Sequence, residues 1–196
     1  MDDDPSPRAA GRPRDPAVDD RILTAVQEQL VTSGYAGTTI ESVARAAGTG
    51  KSAVYRRWPG KIELVVAAVL ALNAPVEAPD TGSLREDLIR CATHYAGGDE
   101  RAAQVLASIL GELRNDPELF QAANTAIGRP PVTALVEVIR RWIGRGVVPG
   151  DARVELIASI VPTAAFGSVT LRRRSLDAEE VAELVDYVLL PALRAK

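Results

Sequence analysis

Between Thr38 and Lys61 the chain reads TTIESVARAAGTGKSAVYRRWPGK, a stretch that permits few folds. Thr38 with Glu41 three residues on forms a capping-box pattern, which satisfies two otherwise orphaned backbone donors at a helix start. Ile40, Val43, Ala44 and Ala47 then share one helical face, and Gly48 ends that helix. A second short helix is expected over Lys51 to Arg57, because Pro59 and Gly60 punctuate the chain directly after Trp58. Two short helices across a tight turn have the spacing of a helix-turn-helix. Val54 and Trp58, four apart, can face a small core and leave Lys51, Ser52, Tyr55 and Arg56 outward.

The letters GTGKS inside this stretch also end a phosphate-binding loop of the nucleotide-hydrolase kind. That loop needs a glycine where this chain has Arg45, and it must follow a buried strand, whereas here an amphipathic helix precedes it. A nucleotide-binding enzyme is therefore the remote reading. Charge favours a different phosphate. Net charge is only −3, yet from Ser42 to Ile62 there are Arg45, Lys51, Arg56, Arg57 and Lys61 and no acid.

The rest of the chain reads as helices. Apolar residues make up 46% and aromatics only 4%, which suits helices packed on helices better than a sheet sandwich. We expect an all-α protein with a disordered arm over 1–15, a DNA-binding domain over 16–73, a linker over 74–82 and a helical domain over 83–196. Helix one should run from Pro16 to Ser33, and another helix from Lys61 to Leu72. NAPVEAPDTG, Asn73 to Gly82, is the punctuated linker. Further helices are expected near Leu84 to Ala96, Glu100 to Asn115, Glu118 to Ile127, Pro131 to Arg145, Ala152 to Arg173 and Ala178 to Leu193, with Pro162 bending the helix it sits in.

The segment Thr38 to Val69 closely resembles the DNA-binding segment of TetR/AcrR-type bacterial transcription regulators, with Thr39, Val43, Ala44, Ala47, Gly48, Tyr55, Lys61 and Leu64 in matching places and Trp58 at an aromatic position. Thr49-Gly50 departs from the usual Val-Ser. The resemblance implies an N-terminal three-helix DNA-binding domain, a C-terminal ligand-binding and dimerisation bundle, and a homodimer on a double-stranded operator. It implies phosphate contacts from Thr39, Tyr55 and Lys61. Thr38, Thr49, Lys51, Ser52, Arg56 and Arg57 complete the expected DNA face, and Arg12 and Arg14 in the arm suit an adjacent minor groove. Arg56 can bond a guanine through two donors, whereas Lys61 acts as a point charge on the backbone.

For a small-molecule effector, the candidate lining is Cys91, His94, Tyr95, Leu110, Leu113, Arg114, Phe120, Asn124, Trp142, Phe166 and Thr170. The resemblance also implies dimerisation through the last two long helices, with Ile157, Val161, Val181, Leu184 and Val188 as candidates. Cys91 and His94 share a helix face, but two ligands do not make a metal site, and a packed or pocket-lining pair is the reading. No catalytic triad can be argued around the one histidine. We expect no cofactor and no enzymatic activity. The uncharged run Leu156 to Leu171 is shorter than the roughly 20 residues that span a bilayer, so no membrane partner is expected. The acidic, basic and Pro-rich start has no secretory core, and the single cysteine fits a reducing compartment, so we expect a cytoplasmic regulator. The rival function is a helical small-molecule-binding protein that never touches DNA.

Overall fold

The computed structural model describes residues 15–72, 76–96 and 100–194. Among them no strand forms; a single parallel bridge pairs Ala96 with Leu176. The head of the molecule is built from α1 (Pro16–Gly37), α2 (Ile40–Ala46), α3 (Lys51–Tyr55) and α4 (Lys61–Leu70). Asp15 caps α1 by accepting from the Ala17 N–H, and Pro16 opens the helix, where a missing N–H costs nothing. The expected end at Ser33 is overrun by a turn. The chain kinks at Gly34, whose φ of 67° and ψ of 179° are open essentially to glycine alone, and resumes helical bonding to Gly37.

The capping box exists one residue later than expected. Thr39 Oγ1 accepts from the Ser42 N–H at 3.1 Å, and Ser42 Oγ accepts from the Thr39 N–H at 3.1 Å. Thr38 has instead turned inward: it is 1% exposed and its hydroxyl donates to the Gly34 carbonyl at 2.8 Å, healing the bonds that the kink opens. Gly48, at φ 63°, makes the turn between α2 and α3. Ile22, Val26 and Leu30 of α1, Val43 and Ala44 of α2, Val54 of α3 and Leu64, Val65 and Ala68 of α4 close a core. Buried Gln27 bolts α1 to α4 through a 2.8 Å bond to the Ala68 carbonyl.

The body begins with α5 (Leu84–Ala92), which tightens into a 3₁₀ turn over Thr93–Tyr95. α6 (Glu100–Leu110) follows, then α7 (Pro117–Ala123), which widens into a π-turn over Asn124–Gly128 and continues as α8 (Arg129–Gly144). α9 (Val154–Ala158) and α10 (Ile160–Gly167) replace one expected helix, split at Ser159. Pro162 explains the split, since it has no N–H for the carbonyl four residues back. A second π-turn over Ser168–Arg172 ends α10, and Arg173 stops it in the left-handed region at φ 57°. α11 (Ala178–Leu184), a third π-turn over Val185–Leu189 and α12 (Leu190–Arg194) complete the chain.

Residues 154–172 are long and apolar enough to cross a membrane by length and composition, with a mean hydropathy of 1.6. Here they are interrupted at Ser159 and bury Val154, Ile157, Ala158, Val161 and Ala165 in the body's core. This corrects the expected dimer face. Ile157 at 4% exposure, Val161 at 0% and Val181 at 0% are consumed inside one chain, while Leu184 is half-buried and Val188 exposed. Head and body are also more deeply joined than the linker suggests, because Val105 and Ile109 of α6 and Leu119 of α7 belong to the head's core.

Candidate nucleic-acid interface

α3 carries Lys51, Ser52, Tyr55 and Arg56 on its solvent side, all exposed, and Val54 at 0% exposure on the other. Burial of Val54 against α1, α2 and α4 sets the helix's rotation, and that rotation presents the other four. Tyr55 is 52% exposed, a large aromatic side chain presented to solvent. Thr39 stands exposed at the start of α2, and Thr49 is half-buried in the turn. Exposed Arg45 of α2 adds a cation to the same region of chain.

The five cations of the acid-free run have separate fates. Arg57 is 10% exposed; it pairs with Asp19 of α1, and its guanidinium donates to the Ala53 carbonyl at 3.0 Å. It is a structural clamp between α1 and α3 and not part of an outward face. Lys61 donates to the Tyr35 carbonyl at 2.6 Å and lies 4.0 Å over the centre of the Tyr35 ring, so it serves the end of α1. Partial burial lowers its pKa. Lys51 reaches Glu41 at 3.0 Å, an exposed pair that lowers the Glu41 pKa through its hydrogen bond. Lys51, Arg56 and Arg45 are therefore the outward cations among the described members of this run. Arg12 and Arg14 lie outside the described residues.

Two cavities lie in the body, and one of them reaches the end of α4. An outer groove of about 600 Å³ is lined by Leu110, Leu113, Phe120, Asn124, Phe166 and Thr170, as expected, together with Leu106, Ile127 and Thr163 among others. A smaller chamber of about 60 Å³ is lined by His94, Tyr95 and Phe166, with Val69 of α4 and Leu72 just beyond its end. Three expected lining residues are placed elsewhere. Trp142 is a core residue whose Nε1 donates to buried Asp87 at 2.8 Å; Cys91, 1% exposed, lies 3.7 Å from the Glu77 carbonyl with its thiol pKa pushed up to about 11 by burial; Arg114 is exposed to solvent.

A short helix presenting cations beyond a glycine turn, on a helical body with a cavity, matches known proteins along nearly the whole chain. Residues 22–68 match the family described as bacterial regulatory proteins, tetR family, and residues 78–188 match the tetracyclin repressor-like C-terminal domain. The chain belongs to the TetR family. It is a helix-turn-helix transcriptional regulator. A DNA-binding transcriptional repressor TetR from Mycobacteroides abscessus is 31% identical over 88% of this chain and 92% of its own length. The crystal structure of the TetR family transcription regulator SCO0332 superposes with a TM-score of 0.63 at 26% identity, covering 88% of this chain and 96% of that one. The Bacillus subtilis regulator FadR, solved with stearoyl-CoA, shares the fold at a TM-score of 0.65 and 16% identity over 89% and 97% of the two chains.

For this TetR-family regulator, sequence reasoning missed the tie between head and body. Tyr35 of α1 donates to Asp116 at 3.3 Å, and Asp116 also caps α7 by accepting from the Leu119 N–H at 2.9 Å. Burial first and the Asp116 charge second raise the Tyr35 phenol to about 12. Asp116 ahead of Pro117 is a readable cap signal, but its partner 81 residues away is not.

Proposed function

We propose that the regulator is a cytoplasmic homodimeric repressor, released from a near-palindromic operator by a small molecule in the groove and chamber beside α4. The exposed row Lys51, Ser52, Tyr55 and Arg56 opposite buried Val54 carries this reading. In a helix-turn-helix that second helix enters the major groove, and in a two-fold dimer the two such helices lie roughly one DNA turn, about 34–36 Å, apart. Arg56 reads base edges; Lys51 and Tyr55 hold phosphates with Thr39; Ser52 and Thr49 line the approach. The revised dimer face uses what α10, α11 and their π-turns leave exposed, namely Leu171 at 83%, Tyr187 at 78% and Val188 at 38%, with half-buried Leu184 between them.

Release follows from differential affinity: an effector that prefers the arrangement in which the two α3 helices are wrongly spaced draws the population off the operator. The test is a titration of DNA from upstream of the regulator's own gene at several salt concentrations. Tyr55→Ala is expected to weaken binding at least tenfold while light scattering still reports a dimer. Wild-type affinity in that variant overturns the DNA face. Absence of salt-dependent binding to any upstream DNA favours the small-molecule-binding rival.

A further inference from the structure

The Tyr95 hydroxyl is fully buried and has no hydrogen-bond partner among the described residues. A buried polar group left unpaired is costly, so its retention calls for an explanation. Tyr95 lines the inner chamber, its ring set edge-on to Phe166 with centroids 6.5 Å apart. Phe166, Leu106 and Ile127 line both cavities and so form their shared wall. Val69 of α4 and Leu72 just past its end line the chamber and are absent from the groove's lining. An occupant that reaches past Phe166 from the groove therefore meets the end of the helix that carries the head. Among the described residues no charged side chain lines the groove, and His94 is the single titratable group besides Tyr95 around the chamber. A charged ligand buried there would lose its hydration without a partner of opposite sign.

We propose that the effector is a neutral, largely apolar molecule with one hydrogen-bonding oxygen, which it places on the Tyr95 hydroxyl after displacing Phe166. The apolar remainder fills the groove, and the chamber is where occupancy is converted into movement of α4. Tyr95 is thus the specificity-determining residue and Phe166 the gate. This deepens the reading of the chain as an effector-released repressor and rests on it.

The probes are octan-1-ol, which has the required shape and oxygen, and the fluorescent amine N-phenyl-1-naphthylamine as a reporter of the groove. In the full-length dimer octan-1-ol is expected to displace the amine. Tyr95→Phe is expected to weaken octan-1-ol about three- to tenfold, the worth of one neutral hydrogen bond, with amine affinity unchanged and the melting temperature unchanged or raised. Ala102→Leu, which fills only the chamber, is expected to keep amine binding and DNA binding but to lose release of DNA by octan-1-ol. Octan-1-ol that does not bind, that binds Tyr95→Phe as tightly as wild type, or that still releases Ala102→Leu from DNA overturns the proposal. A Tyr95→Phe protein that loses both probes equally also overturns it, because the hydroxyl would then be structural. The binding arm needs no DNA: failure to bind DNA sinks the repressor reading alone, and failure of the octan-1-ol arm leaves the DNA face untouched.

Discussion

Lys51 stands at the start of α3, on the face proposed to meet DNA, and is held by Glu41, the acid just outside the cation run. Both side chains are more than half exposed, so the pair is solvent-screened and easily exchanged for a phosphate. Glu41 would nonetheless sit close to that phosphate and oppose binding. Glu41→Gln is therefore expected to raise DNA affinity a few-fold and to steepen the salt dependence by about one ion, read from a salt titration by fluorescence anisotropy. Glu180 is a second informative carboxylate: Arg174 above all, then the Asp177 backbone N–H, hold its pKa down at about 2 against 4.5 for the free group. A depressed acid binds fewer protons in the folded state, so its contribution is complete above about pH 4.5 and is lost as pH falls toward 2. Glu180→Gln should flatten the acid limb of a stability–pH curve in that window and change little at pH 7 beyond the lost pairing.

At the scale of elements, local chemistry sets where helices start and stop, and most of that was readable. Pro16, Gly48, Pro59-Gly60 and Pro162 act within a few residues of themselves, so their effects appear where the sequence puts them. The box on α2 moved from Thr38 to Thr39 because Thr38 was drawn into the break at Gly34, where a glycine stop after Ser33 was readable but the resumption of helix to Gly37 was not. Gly34→Ala should cost about 1–3 kcal/mol, entirely from backbone strain, since a methyl group there meets nothing within 4 Å. A lowered urea midpoint with an unchanged slope would register it. The π-turns at Asn124–Gly128 and Ser168–Arg172 both border the groove, where a widened helix re-aims side chains such as Asn124 and Thr170. Their sequences carry ordinary helical periodicity, which hid them.

Over the whole molecule, buried polar nodes bind segments that are distant in sequence. Asp87, 0% exposed, accepts from the Trp142 indole N–H at 2.8 Å and from the Thr81 N–H and hydroxyl at 2.7 Å each, fastening the linker to α5 and α8. Asp87→Ala strands the buried Trp142 N–H and removes both bonds from Thr81, and should destabilise the fold by about 3 kcal/mol, measured by chemical denaturation. The sequence by itself determined the all-α architecture, the helix-turn-helix and the outward row on α3, because periodicity, glycine turns and the burial of Val54 are decided by neighbours one to four residues away. It also picked out Leu110, Leu113, Phe120 and Phe166 of the groove's apolar lining, but not Leu106, Ile109, Ile127 or Leu171. Only the tertiary structure decided which cations stay free, since Asp19 comes 38 residues along the chain to take Arg57 and the Tyr35 carbonyl 26 residues to take Lys61. It decided equally that Ile157, Val161 and Val181 belong to the chain's own core, and that Tyr95 lines a small chamber with its hydroxyl buried. A helical stripe shows which residues want burial, but the packing of several helices settles what buries them.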